Sequence, residues 1–143
     1  MTQVQVMARP MVRLMAELLL DVTVFEDYRD GHAGARSIMQ RVLTGEIVAS
    51  VASLTVFDLW RSSGFDRRAE IGYSGMLSFL EEAQLSINAA KTAGVWLASI
   101  PGPERESLAR SALIAAVASE RAEHICTRNP VLFSRFYSRL VDY

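Results

Sequence analysis

The run Leu18-Leu19-Leu20-Asp21-Val22 constrains this chain more than any other feature. Consecutive apolar residues with no polar alternation mark a strand buried on both faces. Such a strand needs a helical layer above it and another below. The remaining sequence supplies both. Further strands are expected at Ile47 to Val51, His124 to Cys126 and Leu140 to Val141, with Ala83 to Ile87 a short link or strand. Between them lie helical stretches. Thr23 to Tyr28 is one. In Ala35 to Leu43, the apolar Ile38, Met39, Val42 and Leu43 recur at helical spacing. Leu54 to Arg61 has Ser53 as a candidate N-cap. Asp66 opens a longer helix through Glu82, Asn88 caps one through Ser99, and Ser107 to Arg121 is the clearest. Asp30 to Gly34 reads as a turn, Pro101-Gly102-Pro103 as a firm break, and Val131 to Arg135 as a short helical turn. Strands alternating with helices imply an α/β fold with a mostly parallel central sheet flanked by helices.

A chain of 143 residues fits one domain with a substantial core. We assign 1–16 to an N-terminal extension and 17–143 to the domain; Met15, just before the first strand, is a second candidate start. The formal net charge of −1 argues against a protein held on nucleic acid or membrane by bulk charge. Cys126 is the only cysteine, which excludes an intramolecular disulfide and a cysteine-built zinc site. His32 and His124 are the only histidines, so a histidine-rich metal site is not expected. No apolar run approaches the ~20 residues of a membrane span. The expected location is cytoplasmic.

In α/β folds of this kind, ligands bind beyond the carboxyl ends of the strands. Asp21 ends the first strand there, and Thr127 and Asn129 follow the strand at Ile125. Asp58 lies about one turn into the helix after the second strand. Carboxylates gathered at one place repel each other and imply a divalent cation. Magnesium keeps several waters, so two or three carboxylates suffice. Each residue also has a plain structural reading. Asp21 and Thr23 can cap a helix, Thr127 and Asn129 can organise the turn before Pro130, Asp58 can be a solvated helical acid, and Ser111 a small packing residue. Trp60, Trp96, Phe79 and Phe133 read as core or dimer contacts. Of the 15 basic residues only Lys91 is lysine. Arginine suits phosphate, and Arg128, beside the pocket, is the candidate phosphate contact.

The order of these motifs resembles the PIN-domain family. Leu18 to Val24 looks like its opening strand and first acid. Ser50-Val51-Ala52-Ser53-Leu54-Thr55-Val56-Phe57-Asp58-Leu59 is similar to its second motif, in which a glutamate normally stands at 58. Ala90 and Ala93-Gly94 look like the alanine-rich helix that follows. Ser111 to Ala116 matches the third motif, in which an aspartate normally stands at 111, and Thr127-Arg128-Asn129 with Phe133 resembles the last. The nearest-looking branch is the VapC-type toxins of toxin–antitoxin pairs. The resemblance implies a three-layer fold, metal-dependent endoribonuclease ancestry, and Mg²⁺ or Mn²⁺ at the acid cluster. It also implies RNA as substrate, a homodimer and an antitoxin-like protein partner. Asp21 and Asp58 would be the metal ligands. Asp21, Asp58, Ser111 and Asn129 would make up the catalytic set, with Thr23, Thr127 and Arg128 lining the pocket or meeting phosphate.

Two departures reshape that expectation. Asp58 is one methylene shorter than glutamate. Ser111 is neutral and cannot supply the charge that holds a metal and activates its water. Asp27, Glu104 and Glu106 have no clear geometric claim to the missing place. Groups that act as a unit lose far more than proportionally when one is removed, so activity is expected to be reduced or lost. The alternatives are an inactive PIN-fold binding or regulatory protein and an unrelated small α/β binding protein.

Overall fold

The computed structural model describes residues 18–143; the extension assigned to 1–16 lies outside them. The strands are β1 (Leu18–Leu20), β2 (Ala49–Ala52), β3 (Glu81–Ala83), β4 (His124–Cys126) and β5 (Leu140–Val141). The helices are α1 (Val22–Arg29), α2 (Ala33–Leu43), α3 (Ser53–Trp60), α4 (Arg67–Leu77), α5 (Ile87–Ala98) and α6 (Gly102–Arg121). A 3₁₀ turn, Pro130–Leu132, stands where a turn over Val131 to Arg135 is expected. The strand order is β3-β2-β1-β4-β5, and every pairing is parallel rather than only most of them.

The Leu18–Leu20 run behaves as its composition requires. Leu18 and Leu20 face one core with Phe25, Met39 and Leu59, while Leu19 faces the other with Ile125 and the alanines of α5 and α6. The first core lies under α1–α4 and the second under α5 and α6. The second is built largely from small residues: Ala89 and Ala93 of α5 meet Ala112, Ala115, Ala116 and Ala118 of α6. Alanine packing brings two helices close at little cost in side-chain entropy.

Several boundaries differ from the sequence reading for local reasons. His32 is the N-cap of α2, its Nδ1 accepting from the amides of Gly34 (3.1 Å) and Ala35 (3.3 Å), so that helix starts before Ala35. The N-cap position of α3 is Ala52, and Ser53 is its first helical residue. Asp66 caps α4 through the Ala69 amide as expected, but the helix stops at Leu77 and the chain turns into β3, which pairs with β2. Ser86 rather than Asn88 caps α5. Pro101-Gly102-Pro103 opens α6 instead of breaking the chain. Pro103 falls in the first turn, where a helix has no partner for that N–H anyway.

The topology also fixes where a site can be. From β1 the chain moves one way to β2 and β3, then returns to add β4 and β5 on the other side of β1. The crevice beyond the carboxyl ends of β1 and β4 is therefore the switch point, the usual ligand position in open α/β sheets.

Candidate functional site

Leu20 pairs with Cys126, so the next residues, Asp21 and Thr127, leave the sheet side by side at that switch point. Asp21 is 5% exposed and Thr127 fully buried. The Thr127 hydroxyl donates to Asp21 Oδ2 at 2.7 Å, and the Thr23 hydroxyl donates to the same oxygen at 3.2 Å. Each hydroxyl oxygen in turn accepts a backbone amide. Asn129 N donates to Thr127 Oγ1 at 2.9 Å and Arg128 N to Thr23 Oγ1 at 3.2 Å. Each hydroxyl thus accepts from an amide on one lone pair and donates its single proton to the carboxylate. Among the described residues both bonds fall on Oδ2, and Oδ1 has no side-chain donor.

Burial pushes the Asp21 carboxyl above its ordinary pKa, and the Thr127 hydroxyl partly offsets that rise. Behind it, burial is the main cause that pushes the Cys126 thiol up to about 12, with the Asp21 charge a further one. Asp21 occupies the N-cap position of α1, yet its side chain makes no cap bond. Its Oδ2 is taken by the two threonine hydroxyls instead.

Thr23, Thr127 and the backbone of Asn129 thus come together around Asp21. The Asn129 side chain is exposed. Arg128 contributes its amide, but its guanidinium turns to Asp27 (Nε to Oδ2, 2.9 Å), where the Tyr143 hydroxyl also donates, at 2.7 Å. Ser111 is buried on α6.

Asp58 has different company. Arg61 Nε lies 3.2 Å from its Oδ1, and Arg110 Nη2 bonds its Oδ2. Of the other acids considered for the missing place, Asp27 is engaged as above, Glu104 pairs with Arg135 at 3.0 Å, and Glu106 is exposed on α6. Among the described residues, no three His, Cys, Asp or Glu side chains gather as a metal cluster would. A cavity of about 590 Å³ lies between α1 and α4, lined by Tyr28, Arg29, Arg68, Tyr73 and neighbours; Asp21 is not in its walls.

Residue-by-residue reading missed Arg61, Arg110 and Tyr143. The Asp58–Arg61 pair carried a local signal, three apart on one helix. Arg110 and Tyr143 carried none, because both reach their partners only through the tertiary fold.

No family model matches this sequence, and no curated protein matches it. Solved structures do. A chain of VapBC from Salmonella typhimurium, solved bound to DNA, superposes with a TM-score of 0.69 at 20% identity, over 90% of this chain and 98% of that one. A chain of VapBC2 from Rickettsia felis, bound to a DNA fragment from their promoter, superposes with a TM-score of 0.65 at 16% identity, over 88% of this chain and 96% of that one. Among the described residues no helix is long and apolar enough to cross a membrane. With a five-stranded parallel sheet between two helical layers, this chain has a PIN-like fold of the VapC type.

Proposed function

We propose that this chain is a VapC-like PIN-domain protein of the toxin–antitoxin type, related to Mg²⁺- or Mn²⁺-dependent endoribonucleases, whose metal-dependent activity is reduced or lost. One observation carries the second half: Asp58 is clamped between Arg61 and Arg110, while position 111 holds a serine. Of the two acids that the motifs point to, only Asp21 is free of an ion pair among the described residues, and a divalent ion in this crevice would compete with two guanidiniums for Asp58. That donor set does not fit a firmly held magnesium or manganese ion. Asp21 keeps the position of a PIN acid, and Thr23, Thr127 and Asn129 would orient ligand or water around it. On the same reading the chain self-associates as a homodimer, pairs with an antitoxin-like protein in the cytoplasm, and meets RNA at this crevice. The fold shared with two VapBC structures supports the partner.

The test is repair. Wild type should bind no Mn²⁺ at micromolar concentration by calorimetry and should cleave a single-stranded RNA poorly or not at all. Restoring the acid and removing its competitor together, Ser111→Asp with Arg110→Ala, should create Mn²⁺ binding that Asp21→Asn then abolishes. Tight Mn²⁺ binding and brisk cleavage by wild type would overturn the reading.

A further inference from the structure

The clamp on Asp58 leaves a surface with unused donors. Each carboxylate oxygen takes one guanidinium, so the trio Arg61–Asp58–Arg110 carries one net positive charge. A guanidinium has five N–H donors, and neither arginine makes another side-chain hydrogen bond among the described residues. Both are open to solvent, with side chains 57% and 39% exposed, while Asp58 beneath them is 15% exposed. An independent feature lies beside them. Phe57 is 57% exposed, and the Arg61 guanidinium stands 5.5 Å from its ring centroid. Arg61 is the C-cap residue of α3, four residues after Phe57, which keeps the two side chains on one side of the helix end. An open aromatic ring next to spare guanidinium donors is the combination that takes base and phosphate in sequence-tolerant single-strand binding.

We infer that Phe57, Arg61 and Arg110 form a binding surface for a single-stranded oligonucleotide, with a base against the Phe57–Arg61 pair and a phosphate on the guanidiniums, and no metal ion between them. Asp58 is then a positioning residue that braces two arginines. The inference deepens the reading above by naming the ligand and how it is held, and rests on that reading only for the choice of RNA. Arginine presents paired donors that match a phosphate edge, so the internal cation does electrostatically what a metal does elsewhere.

The experiment is fluorescence anisotropy of a labelled ten-nucleotide single-stranded RNA in EDTA, with the matching single-stranded DNA and an RNA duplex in parallel. Wild type should bind the single strands, RNA or both, more tightly than the duplex. Phe57→Ala should weaken binding about 5- to 150-fold, the range for loss of one stacked base. Arg110→Gln should weaken it and lower the salt slope by roughly 0.7. Asp58→Asn removes the local negative charge and the brace together, two opposed effects, and should shift affinity less than Arg110→Gln does. Arg61→Gln serves as a second charge variant, and a thermal melt of each protein separates a lost contact from a lost fold. Binding that needs Mg²⁺ or Mn²⁺, that is indifferent to Phe57 and Arg110, that prefers duplex, or that is absent in wild type would overturn the inference. So would Phe57→Ala leaving RNA affinity within twofold while turning a dimer into a monomer by light scattering, which would make this face a protein interface. Cleavage in Mn²⁺ is scored separately and bears only on the depleted acid set.

Discussion

Two buried carboxylates stand at opposite ends of β4. Glu123, just before the strand, is fully buried; Asp21, beside its far end, is 5% exposed. Their surroundings differ in one decisive respect. Glu123 has a cation: Arg121 Nε lies 2.9 Å from its Oε1, Ser50 Oγ donates to its Oε2 at 2.5 Å, and Arg121 also reaches Glu81 at 3.1 Å. Among the described residues, Asp21 has amide-backed threonine hydroxyls and no arginine or lysine as hydrogen-bond partners. A buried charge that is paired and hydrogen-bonded is part of the frame. A buried charge solvated by dipoles alone is costly, and at a switch point it makes a candidate for a site. The same sheet thus holds a structural acid and a candidate functional one, distinguished by their counter-ions.

That contrast is broken most severely at Arg121. Removing one partner of a buried pair strands the other charge and costs about 3–5 kcal/mol. Arg121 is 29% exposed, so water can replace part of its contribution. Arg121→Ala should therefore lose about 3 kcal/mol in urea unfolding, and the loss should shrink in the double variant with Glu123→Gln. A loss below 1 kcal/mol would mean that Glu123 is not held by this pair.

The contrast was only half legible in the sequence. Asp21 follows an unbroken apolar run, so strand and strand-end acid could be read together, and Thr127 and Asn129 follow the apolar Ile125-Cys126 pair in the same way. Glu123 gave no such signal. Between Arg121 and His124 it looks like one more solvated acid, and only the fold brings Ser50, 73 residues away, to it. Asp58 was found, but its meaning was not. Arg61 was within local reach, whereas Arg110 lies 52 residues further on. The broad fold was readable because burial on both faces writes itself as composition. Helix starts at His32, Ser86 and Gly102 were not, because capping turns on backbone geometry that several neighbouring residues could satisfy.

Asp21→Asn should move stability the other way. Its folded pKa lies above the unfolded value of 3.8 because burial disfavours the charged form. The folded state then binds more protons than the unfolded one between the two pKa values. The favourable contribution is fully present below the unfolded pKa and is lost as pH rises through the folded one. At pH 7 the ionised carboxylate is a net liability, and the carboxamide should stabilise the fold by about 1 kcal/mol, the scale of an unfavourably buried polar group. Unfolding free energy followed from pH 4 to pH 7 should fall in wild type and fall less in the variant. Equal slopes would deny that Asp21 is held in a costly environment.

The smallest test lies at the turn that delivers Glu123. Ala122 ends α6 at φ 57°, ψ 38°, the left-handed region in which a Cβ crowds the following carbonyl oxygen. Its amide donates to Ser119 O at 3.2 Å and that of Glu123 to Ala118 O at 3.0 Å, so the reversal is held by the helix end itself. Glycine would relieve the strain but lose more chain entropy on folding. The first effect, about 1–2 kcal/mol, exceeds the second, about 0.4–1 kcal/mol. Ala122→Gly should therefore raise stability by about 0.5–1 kcal/mol in the same urea assay. Because the backbone path stays the same, Glu123 should keep its partners and Arg121→Ala should cost as much in the glycine background as in wild type. A reduced cost there would show that the strained turn, and not the ion pair alone, sets how firmly the structural acid is held.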